Sequence, residues 1–351
     1  MPEWRKDPVR NSWVVIAAER VKRPSDFVVG GEERRGLECS LCESHEQETP
    51  PEVLAYRERG SNSNMPGWWV RVIPNKFPAV RIEAGTEIKN HGLYQWMEGV
   101  GAHEVVVETP DHSRPLEDLS QMQVQEIIRA WRDRSLDLRQ DKRFKYIQVF
   151  KNFGRAAGAS LEHPHSQIIA TPMVPEYISD ALNSLACYAE ETGRCIICEI
   201  VRQELEMRER LVVENGGFIA ITPFASRFPY EVWIIPREHQ PDYGYISEDQ
   251  VEDLARLLGT VLKKQSAALG HPPFNLVLST APVNCELTRA KHFHWHIEIL
   301  PRLTVAAGFE LGTGCYINPT SPEIAAAGLR ETVVVFDEVF GSSQAEVSKY
   351  V

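Results

Sequence analysis

An internal repeat is the feature that most constrains how this 351-residue chain can fold. Four kinds of segment recur in the same order in both halves, with offsets that range from 127 (239 − 112) to 156 (195 − 39). They are a Cys-x-x-Cys pair at 39–42 and 195–198, an apolar strand ending in His at 103–112 and 230–239, a helical pattern at 119–138 and 247–268, and another strand at 146–150 and 275–278. The repeat predicts a duplicated α+β unit with changes in loop length, and chance similarity between short apolar strands is the alternative.

A strand with alternating polar side chains closes each repeat. The pattern is His163-x-His165-x-Gln167 ending at Pro172 in the first half, and His292-x-His294-x-His296 ending at Pro301 in the second. Alternate side chains of a strand share one face, so His163, His165 and Gln167 are expected to project together. Two imidazoles and an amide can bind a metal, attack an electrophile and donate hydrogen bonds to an anion. A histidine in a strand is, however, more often a hydrogen-bonded core residue.

Helical patterns between strands joined by short turns predict an α+β fold, a largely antiparallel sheet with helices packed on one face. We expect an N-terminal half at 1–180 and a C-terminal half at 181–351. The link is expected near 175–187, where the repeat pattern lapses. A hydrophobic content of 43% and a charged content of 25% are typical of a soluble globular protein.

The charge balance limits the partners of the chain. A net charge of −11 argues against a nucleic-acid surface, which needs a basic stripe. No apolar run approaches the length of a membrane span, and residues 1–7 lack the apolar region of a signal peptide. We therefore expect no nucleic-acid or membrane partner and a cytoplasmic location.

The two Cys-x-x-Cys pairs predict metal sites. Structural zinc takes four thiolate or imidazole ligands, and such a pair supplies two of them from one turn. The repeat nominates His112 and His163 as partners of Cys39 and Cys42. For Cys195 and Cys198 it nominates His239 and one of His292, His294 and His296. A pair of cysteines without metal is the alternative; a thioredoxin-like role is disfavoured because neither pair lies in a βαβ pattern.

Metal at His163 has a consequence for His165. A metal bound to His163 would pin the strand, and His165 would be held in one orientation without joining the tetrahedron. A neutral imidazole fixed in this way is a good nucleophile towards phosphorus.

Several motifs resemble those of the galactose-1-phosphate uridylyltransferases, a branch of the histidine-triad superfamily, across essentially the whole chain. His-Pro-His-x-Gln is the active-site signature of that family. The matching segments are 7–10, 19–24, the Cys39/Cys42 pair, 74–78, 110–113, Asn152 and 158–167. The resemblance implies a duplicated histidine-triad-like unit, and it implies a homodimer that takes part in galactose and carbohydrate metabolism.

The resemblance also implies a ping-pong nucleotidyl transfer. His165 would attack the α-phosphorus of a nucleoside diphosphate sugar such as UDP-glucose, expel hexose 1-phosphate and carry the nucleotide as a phosphoramidate. Gln167 would bind the phosphoryl oxygens where charge builds up, and Ser160 would contact the phosphate. Four further residues match substrate-binding positions: Arg20, Arg23, Asn75 and Asn152. An ordinary surface position is the alternative interpretation of the two arginines.

The expected cofactor is zinc in two sites. Well-known bacterial members carry iron in the second half, where this chain has Cys195 and Cys198, so zinc is expected and iron is the alternative there. His239 and His294 match the ligands of members with a second zinc, although the repeat equally allows His292.

The C-terminal segment bears on the identity of the acceptor. The C-terminal segment that binds hexose phosphate in those bacterial members is not recognisable here, and a different sequence stands at 308–319. Together with 229–236, this segment resembles plant homologues described as ADP-glucose phosphorylases. The acceptor is therefore either a hexose 1-phosphate or inorganic phosphate. A histidine-triad hydrolase and a non-catalytic zinc-stabilised binding protein are further alternatives, and the His165/Gln167 pair argues against the latter.

Overall fold

The computed structural model describes residues 2–17, 39–285 and 288–334. The strands are β1 Glu3–Lys6, β2 Trp13–Ile16, β3 Leu54–Arg57, β4 Trp68–Pro74, β5 Lys89–His91, β6 Tyr94–Trp96, β7 Ala102–Val107, β8 Tyr146–Phe153, β9 His165–Thr171, β10 Leu211–Glu214, β11 Phe218–Ile221, β12 Val232–Pro236, β13 Phe274–Ser279, β14 His296–Pro301 and β15 Tyr316–Asn318. The helices are α1 Gln121–Leu138, α2 Glu176–Thr192, α3 Ile196–Met207, α4 Glu248–Leu269, α5 Gly308–Thr313 and α6 Pro322–Glu331. No helix in this part of the chain is long and apolar enough to cross a membrane.

A ten-stranded antiparallel sheet runs through both halves. Its strand order is β10-β11-β12-β14-β13-β8-β9-β7-β4-β3. Read from either edge towards the centre, the two halves follow the same plan, with β10, β11, β12, β14 and β13 matching β3, β4, β7, β9 and β8. The central pair joins the halves in a register that places Asn152 of β8 opposite Asn275 of β13. The predicted duplicated α+β unit is confirmed, whereas the boundary at residue 180 stays a prediction.

The two predicted long helices are present within about two residues of their expected ends. α1 follows Ser120, whose hydroxyl accepts the N–H of Gln123. α4 follows Ser247, which forms a reciprocal capping box with Gln250, and it ends at Gly270 with φ of 72°. A serine hydroxyl satisfies an N–H that has no partner inside the helix, and a left-handed glycine ends a helix at little steric cost.

α1 and α4 pack on one face of the sheet, as expected. Ile128 and Trp131 of α1 and Leu258 of α4 join the main hydrophobic core, together with Ile168 of β9 and Ile297 of β14. All five side chains are buried. The apolar stripe of each helix therefore covers the apolar face of its own half of the sheet.

The other face of the sheet differs between the halves. In the C-terminal half α2 and α3 cover it, with Leu182 and Ile197 packed near Trp233 of β12. In the N-terminal half the same face carries the loop around Leu41, and no α-helix among the described residues. The prediction of helices on one face is thus correct for the first half only. The apolar stripes of α2 and α3 add a hydrophobic surface that must be buried against a sheet.

Candidate active site

β9 is tied to the helix layer through Ser166, which fixes the direction of its neighbours. The buried hydroxyl of Ser166 accepts a hydrogen bond from the indole N–H of Trp131 on α1 at 2.7 Å. Because side chains alternate along a strand, His165 and Gln167 project from the opposite face. They lie on the opposite face from α1, in the N-terminal half of the sheet, where no α-helix among the described residues covers this face.

His165 is held in a single tautomer. Its Nδ1–H donates to the carbonyl oxygen of His163 at 2.7 Å. A carbonyl only accepts, so the proton lies on Nδ1 and the lone pair lies on Nε2. Burial is the main cause that lowers the pKa of His165, and the charge of Lys151 lowers it further. A neutral ring with its lone pair on Nε2 is the form of histidine that attacks phosphorus.

A buried ion pair, which the sequence analysis missed, lies behind His165. Lys151 Nζ donates to Glu108 Oε2 at 2.6 Å and to the carbonyl oxygen of His165 at 3.1 Å. The exposed fractions of the two side chains are 1% and 0%. The available signal was a charged residue within or directly after an apolar strand. Nothing local, however, indicates that residues 43 positions apart pair with each other.

Gln167 and Asn75 meet at one imidazole. Gln167 Oε1 lies 2.8 Å from Nε2 of His103 on β7. Asn75 Nδ2 lies 3.1 Å from the same nitrogen, and Asn75 Oδ1 accepts the N–H of Phe77 at 2.9 Å. The structure therefore brings two of the predicted site residues together around His103, a histidine to which the sequence analysis gave no role.

The remaining predicted residues lie at different distances from this centre. Asn152 Oδ1 accepts a hydrogen bond from Asn275 Nδ2 at 2.8 Å, across the join between the halves. Ser160 is exposed in the loop between β8 and β9. Arg20 and Arg23 lie outside the described residues.

The first predicted metal group is assembled. Cys39, Cys42, His112 and His163 place one ligand atom each within 4.8 Å of one another. Cys42 Sγ lies 3.4 Å from His112 Nδ1 and 3.6 Å from His163 Nδ1. The other ring nitrogen of His163 donates to the carbonyl oxygen of Thr109 at 2.8 Å. Such a bond leaves the Nδ1 lone pair directed at the cysteines. Burial lowers the pKa of His163 to about 4, so its ring is neutral.

The second group repeats this geometry. Cys195, Cys198, His239 and His294 also place their ligand atoms within 4.8 Å of one another. Cys198 Sγ lies 3.5 Å from His294 Nδ1 and 3.7 Å from His239 Nδ1. His294 Nε2–H donates to the carbonyl oxygen of Pro236 at 3.0 Å, as His163 does to Thr109. Of the three histidines that the repeat allowed, the geometry favours His294.

Each group suits a metal ion. Burial and the neighbouring Cys39 raise the pKa of Cys42 to about 11, so the two thiols do not both ionise at neutral pH by themselves. A bound cation favours both thiolates, and a Cys₂His₂ set matches the tetrahedral preference of a d¹⁰ ion. The structure thus contains two groups of residues that could hold a metal ion.

His296, at the start of β14, is the counterpart of His165 at the start of β9. Its ring stacks on Trp233 with centroids 4.8 Å apart, and only 2% of the residue is exposed. The stacked indole belongs to the apolar layer formed with α2 and α3. The second half therefore places this histidine inside a packed layer.

Glu298 takes the place in β14 that Gln167 has in β9. Its carboxylate forms ion pairs with Arg10 and Arg227, the latter at 2.7 Å. Burial opposes its ionisation, yet the two arginines hold the pKa of Glu298 well below its usual range. The position that carries an amide in the first half is thus part of a buried charge cluster in the second.

Comparison with known proteins finds two family models that match the chain. Residues 1–175 match the family model described as galactose-1-phosphate uridyl transferase, N-terminal domain. Residues 111–337 match a model described as a domain of unknown function.

Several relatives match nearly the whole chain. An ADP-glucose phosphorylase of Arabidopsis thaliana is 37% identical over 94% of this chain and 93% of its own length. A galactose-1-phosphate uridylyltransferase of Thermotoga maritima is 33% identical over 95% and 99%. The crystal structure of an Arabidopsis thaliana ADP-glucose phosphorylase with bound ADP-glucose covers 95% of this chain and 100% of that one, with 35% identity and a TM-score of 0.82.

The fold and the site define a duplicated α+β protein that carries a histidine nucleophile candidate beside a Cys₂His₂ group. The chain belongs to the galactose-1-phosphate uridylyltransferase family. It is therefore an enzyme of the nucleotidyltransferase type, as the sequence analysis predicted.

Proposed function

We propose that the protein transfers a nucleoside monophosphate from a nucleoside diphosphate sugar to a phosphate-bearing acceptor through a covalent intermediate on His165. The observation that carries this proposal is the tautomer of His165. Its Nδ1 proton is committed to the carbonyl of His163, so Nε2 holds a lone pair. Gln167 lies on the same strand face, two residues away.

The reaction proceeds in two balanced steps. In the first, Nε2 of His165 forms a bond to the α-phosphorus, the bond from phosphorus to the bridging oxygen breaks, and sugar 1-phosphate leaves with the electron pair. In the second, an oxygen of the acceptor phosphate attacks the same phosphorus, and the phosphorus–nitrogen bond breaks. The electron pair returns to Nε2, so His165 is regenerated.

The neighbouring residues bind and orient the nucleotide in this proposal. The Gln167 amide donates to a phosphoryl oxygen, which gains charge in the transition state. Asn75 and Asn152 contact the nucleotide, and Ser160 contacts the phosphate. Arg20 and Arg23 supply cationic donors to the phosphates.

We propose zinc as the metal of both Cys/His groups, with iron as the alternative in the second. The donor set supports this assignment, since two thiolates and two imidazoles are typical of structural zinc. Metal in the first group would fix His163, and through it the carbonyl that orients His165.

A second candidate function, ADP-glucose phosphorylase with inorganic phosphate as the acceptor, is favoured by two comparisons. The Arabidopsis thaliana relative of that name is 37% identical over nearly the whole chain. This second candidate function would use the same covalent first step, so the two candidates differ only in their substrates.

Covalent labelling tests the proposal. Incubation with UDP-glucose or ADP-glucose labelled at the α-phosphorus should leave acid-labile label on the wild-type chain. His165→Ala should remove the label and lower turnover by several orders of magnitude, as loss of a covalent nucleophile does. His296→Gln, the counterpart in the second half, is the matched control and should retain the label. Label that persists in His165→Ala would contradict the proposal.

A further inference from the structure

His103 links the predicted phosphoryl-binding amide to the backbone of a neighbouring loop. It lies on β7, next to β9 in the sheet, and its Nε2 is 2.8 Å from Gln167 Oε1. The Nδ1 atom of the same ring accepts the backbone N–H of Ala79 at 3.1 Å. We propose that His103 is a positioning residue, which fixes the orientation of the Gln167 amide for nucleotidyl transfer.

The backbone of Ala79 determines the tautomer of His103. A backbone N–H can only donate, so Nδ1 must carry a lone pair and Nε2 must carry the proton of the neutral ring. Nε2–H then donates to its partner on β9, and that partner must be the carbonyl oxygen of the Gln167 amide. The loop backbone thereby sets which end of the amide faces the imidazole.

The hydrogen bond from His103 also fixes the direction of the NH₂ group of Gln167. With Oε1 held by His103, the two N–H bonds of the amide point away from the imidazole. An amide turned by 180° would direct its carbonyl oxygen there instead and repel a phosphoryl oxygen. A donor that is already oriented needs no reorganisation as charge develops, which is where such groups contribute most to rate.

Asn75 joins the same cluster. Its Oδ1 accepts the N–H of Phe77, so its NH₂ group faces His103 Nε2 at 3.1 Å. Both groups are donors, and this approach is a contact rather than a hydrogen bond. The backbone N–H of Asn75 also donates to the carbonyl oxygen of His103 at 2.8 Å. His103 therefore holds a predicted nucleotide-binding residue and a predicted phosphoryl-binding residue side by side.

This inference rests on the proposed function, because it assigns Gln167 to the phosphoryl group. A pair of substitutions with nearly the same shape separates orientation from packing. His103→Gln can still accept from Ala79 N–H and donate to Gln167 Oε1. His103→Glu can only accept, so it should turn the Gln167 amide over.

The measurement is the single-turnover rate of labelling at His165 by the α-phosphorus-labelled nucleotide sugar. His103→Gln should stay within about fivefold of wild type, whereas His103→Glu should be slower by about 100-fold, the usual loss of one transition-state donor. Gln167→Ala should be slowed as much, and adding His103→Glu to it should cause no further loss. The concentration of nucleotide sugar that gives half of the maximal labelling rate should change little in any of these variants.

The added charge of glutamate has its own signature. Simple repulsion of the substrate by His103→Glu would slow the Gln167→Ala background as well, and that result would overturn the inference. Equal rates for His103→Gln and His103→Glu would also overturn it. Thermal unfolding and metal content of each variant show whether it has folded.

A separate readout keeps this inference distinct from the proposed function. ¹⁵N NMR of histidine-labelled protein without substrate, assigned with His103→Gln, should show the ring of His103 protonated at Nε2. Protonation at Nδ1 would overturn the inference even if His165 is labelled. Absence of label on the wild-type chain would contradict the proposed function, while the tautomer would still test the orientation of Gln167.

Discussion

Lys151 links β8 to β9, because its ammonium group donates to both the carbonyl oxygen of His165 and the carboxylate of Glu108. The two charged side chains are almost completely buried. A buried pair of this kind contributes little net stability compared with apolar residues, but the loss of one partner leaves a charge without compensation. We therefore expect substitution of either Lys151 or Glu108 alone to destabilise the protein.

Lys151→Met should lower the free energy of unfolding by about 3–5 kcal/mol, because it leaves the carboxylate of Glu108 buried and unpaired. The double variant Lys151→Met/Glu108→Leu should recover most of that loss. Urea unfolding of the wild type, both single variants and the double variant measures these effects. A loss below about 1 kcal/mol in Lys151→Met would show that the buried charge is compensated by other groups.

At the scale of secondary-structure elements, each Cys/His group links two neighbouring strands. One histidine of the group precedes a strand and donates a hydrogen bond to a backbone carbonyl at or just after the end of the neighbouring strand. His163 precedes β9 and bonds to the carbonyl of Thr109, just after β7. His294 precedes β14 and bonds to the carbonyl of Pro236, the last residue of β12. The two groups have nearly the same geometry, but only the first lies next to His165.

Matched cysteine substitutions should separate structural from catalytic effects of the metals. Elemental analysis of wild-type protein purified without added metal should find about two zinc ions per chain, and Cys42→Ser or Cys198→Ser should each remove about one. Both variants should unfold at a lower temperature. Only Cys42→Ser should also slow labelling of His165, by about tenfold or more, because its group sets the position of β9.

Several results would contradict this assignment. Iron in the second group would show that the alternative metal is correct there. If both variants slowed labelling equally, the effect of the first group would come from overall stability and not from the position of His165.

At the scale of the whole molecule, the two halves share one strand plan but bury different faces of the sheet. α2 and α3 pack on the C-terminal half, where His296 stacks on Trp233 inside a buried layer. The N-terminal half carries no α-helix on that face within the described ranges. In the C-terminal half, the positions that match His165 and Gln167 are thus occupied by His296 and Glu298, which are packed or ion-paired in the interior. A homodimer stays a prediction that light scattering would check.

The acceptor is also a question for the whole molecule, because the segment at 308–319 lies in the C-terminal half and the candidate nucleophile His165 lies in the N-terminal half. The segment that binds hexose phosphate in bacterial members is not recognisable at 308–319. We therefore expect galactose 1-phosphate to be a poorer acceptor than the family name suggests. Inorganic phosphate or glucose 1-phosphate should compete well. Initial rates with these three acceptors, each with UDP-glucose and with ADP-glucose as donor, would test this. A clear preference for UDP-glucose with galactose 1-phosphate would instead identify an ordinary uridylyltransferase with a rebuilt sugar pocket.

Local patterns predicted a large part of this protein. Apolar periodicity and serine caps gave α1 and α4, because a helix encodes its own face and ends within about 20 residues. Alternation along β9 placed His165 and Gln167 on one face. The repeat in turn nominated both Cys/His groups, since each half uses the same elements in the same order.

Only the tertiary structure decided which groups meet across the sheet. Lys151 and Glu108 are 43 residues apart, and His103 and Gln167 are 64 apart. Such pairs depend on strand order and register, which no local pattern specifies. The choice of His294 over His292, and the covering of one half by α2 and α3, have the same origin. The sequence by itself determined the repeating unit and the reactive residues of its first copy; only the tertiary structure showed that α2 and α3 cover the matching face of the second copy, because their docking depends on the packing of apolar surfaces distant in sequence.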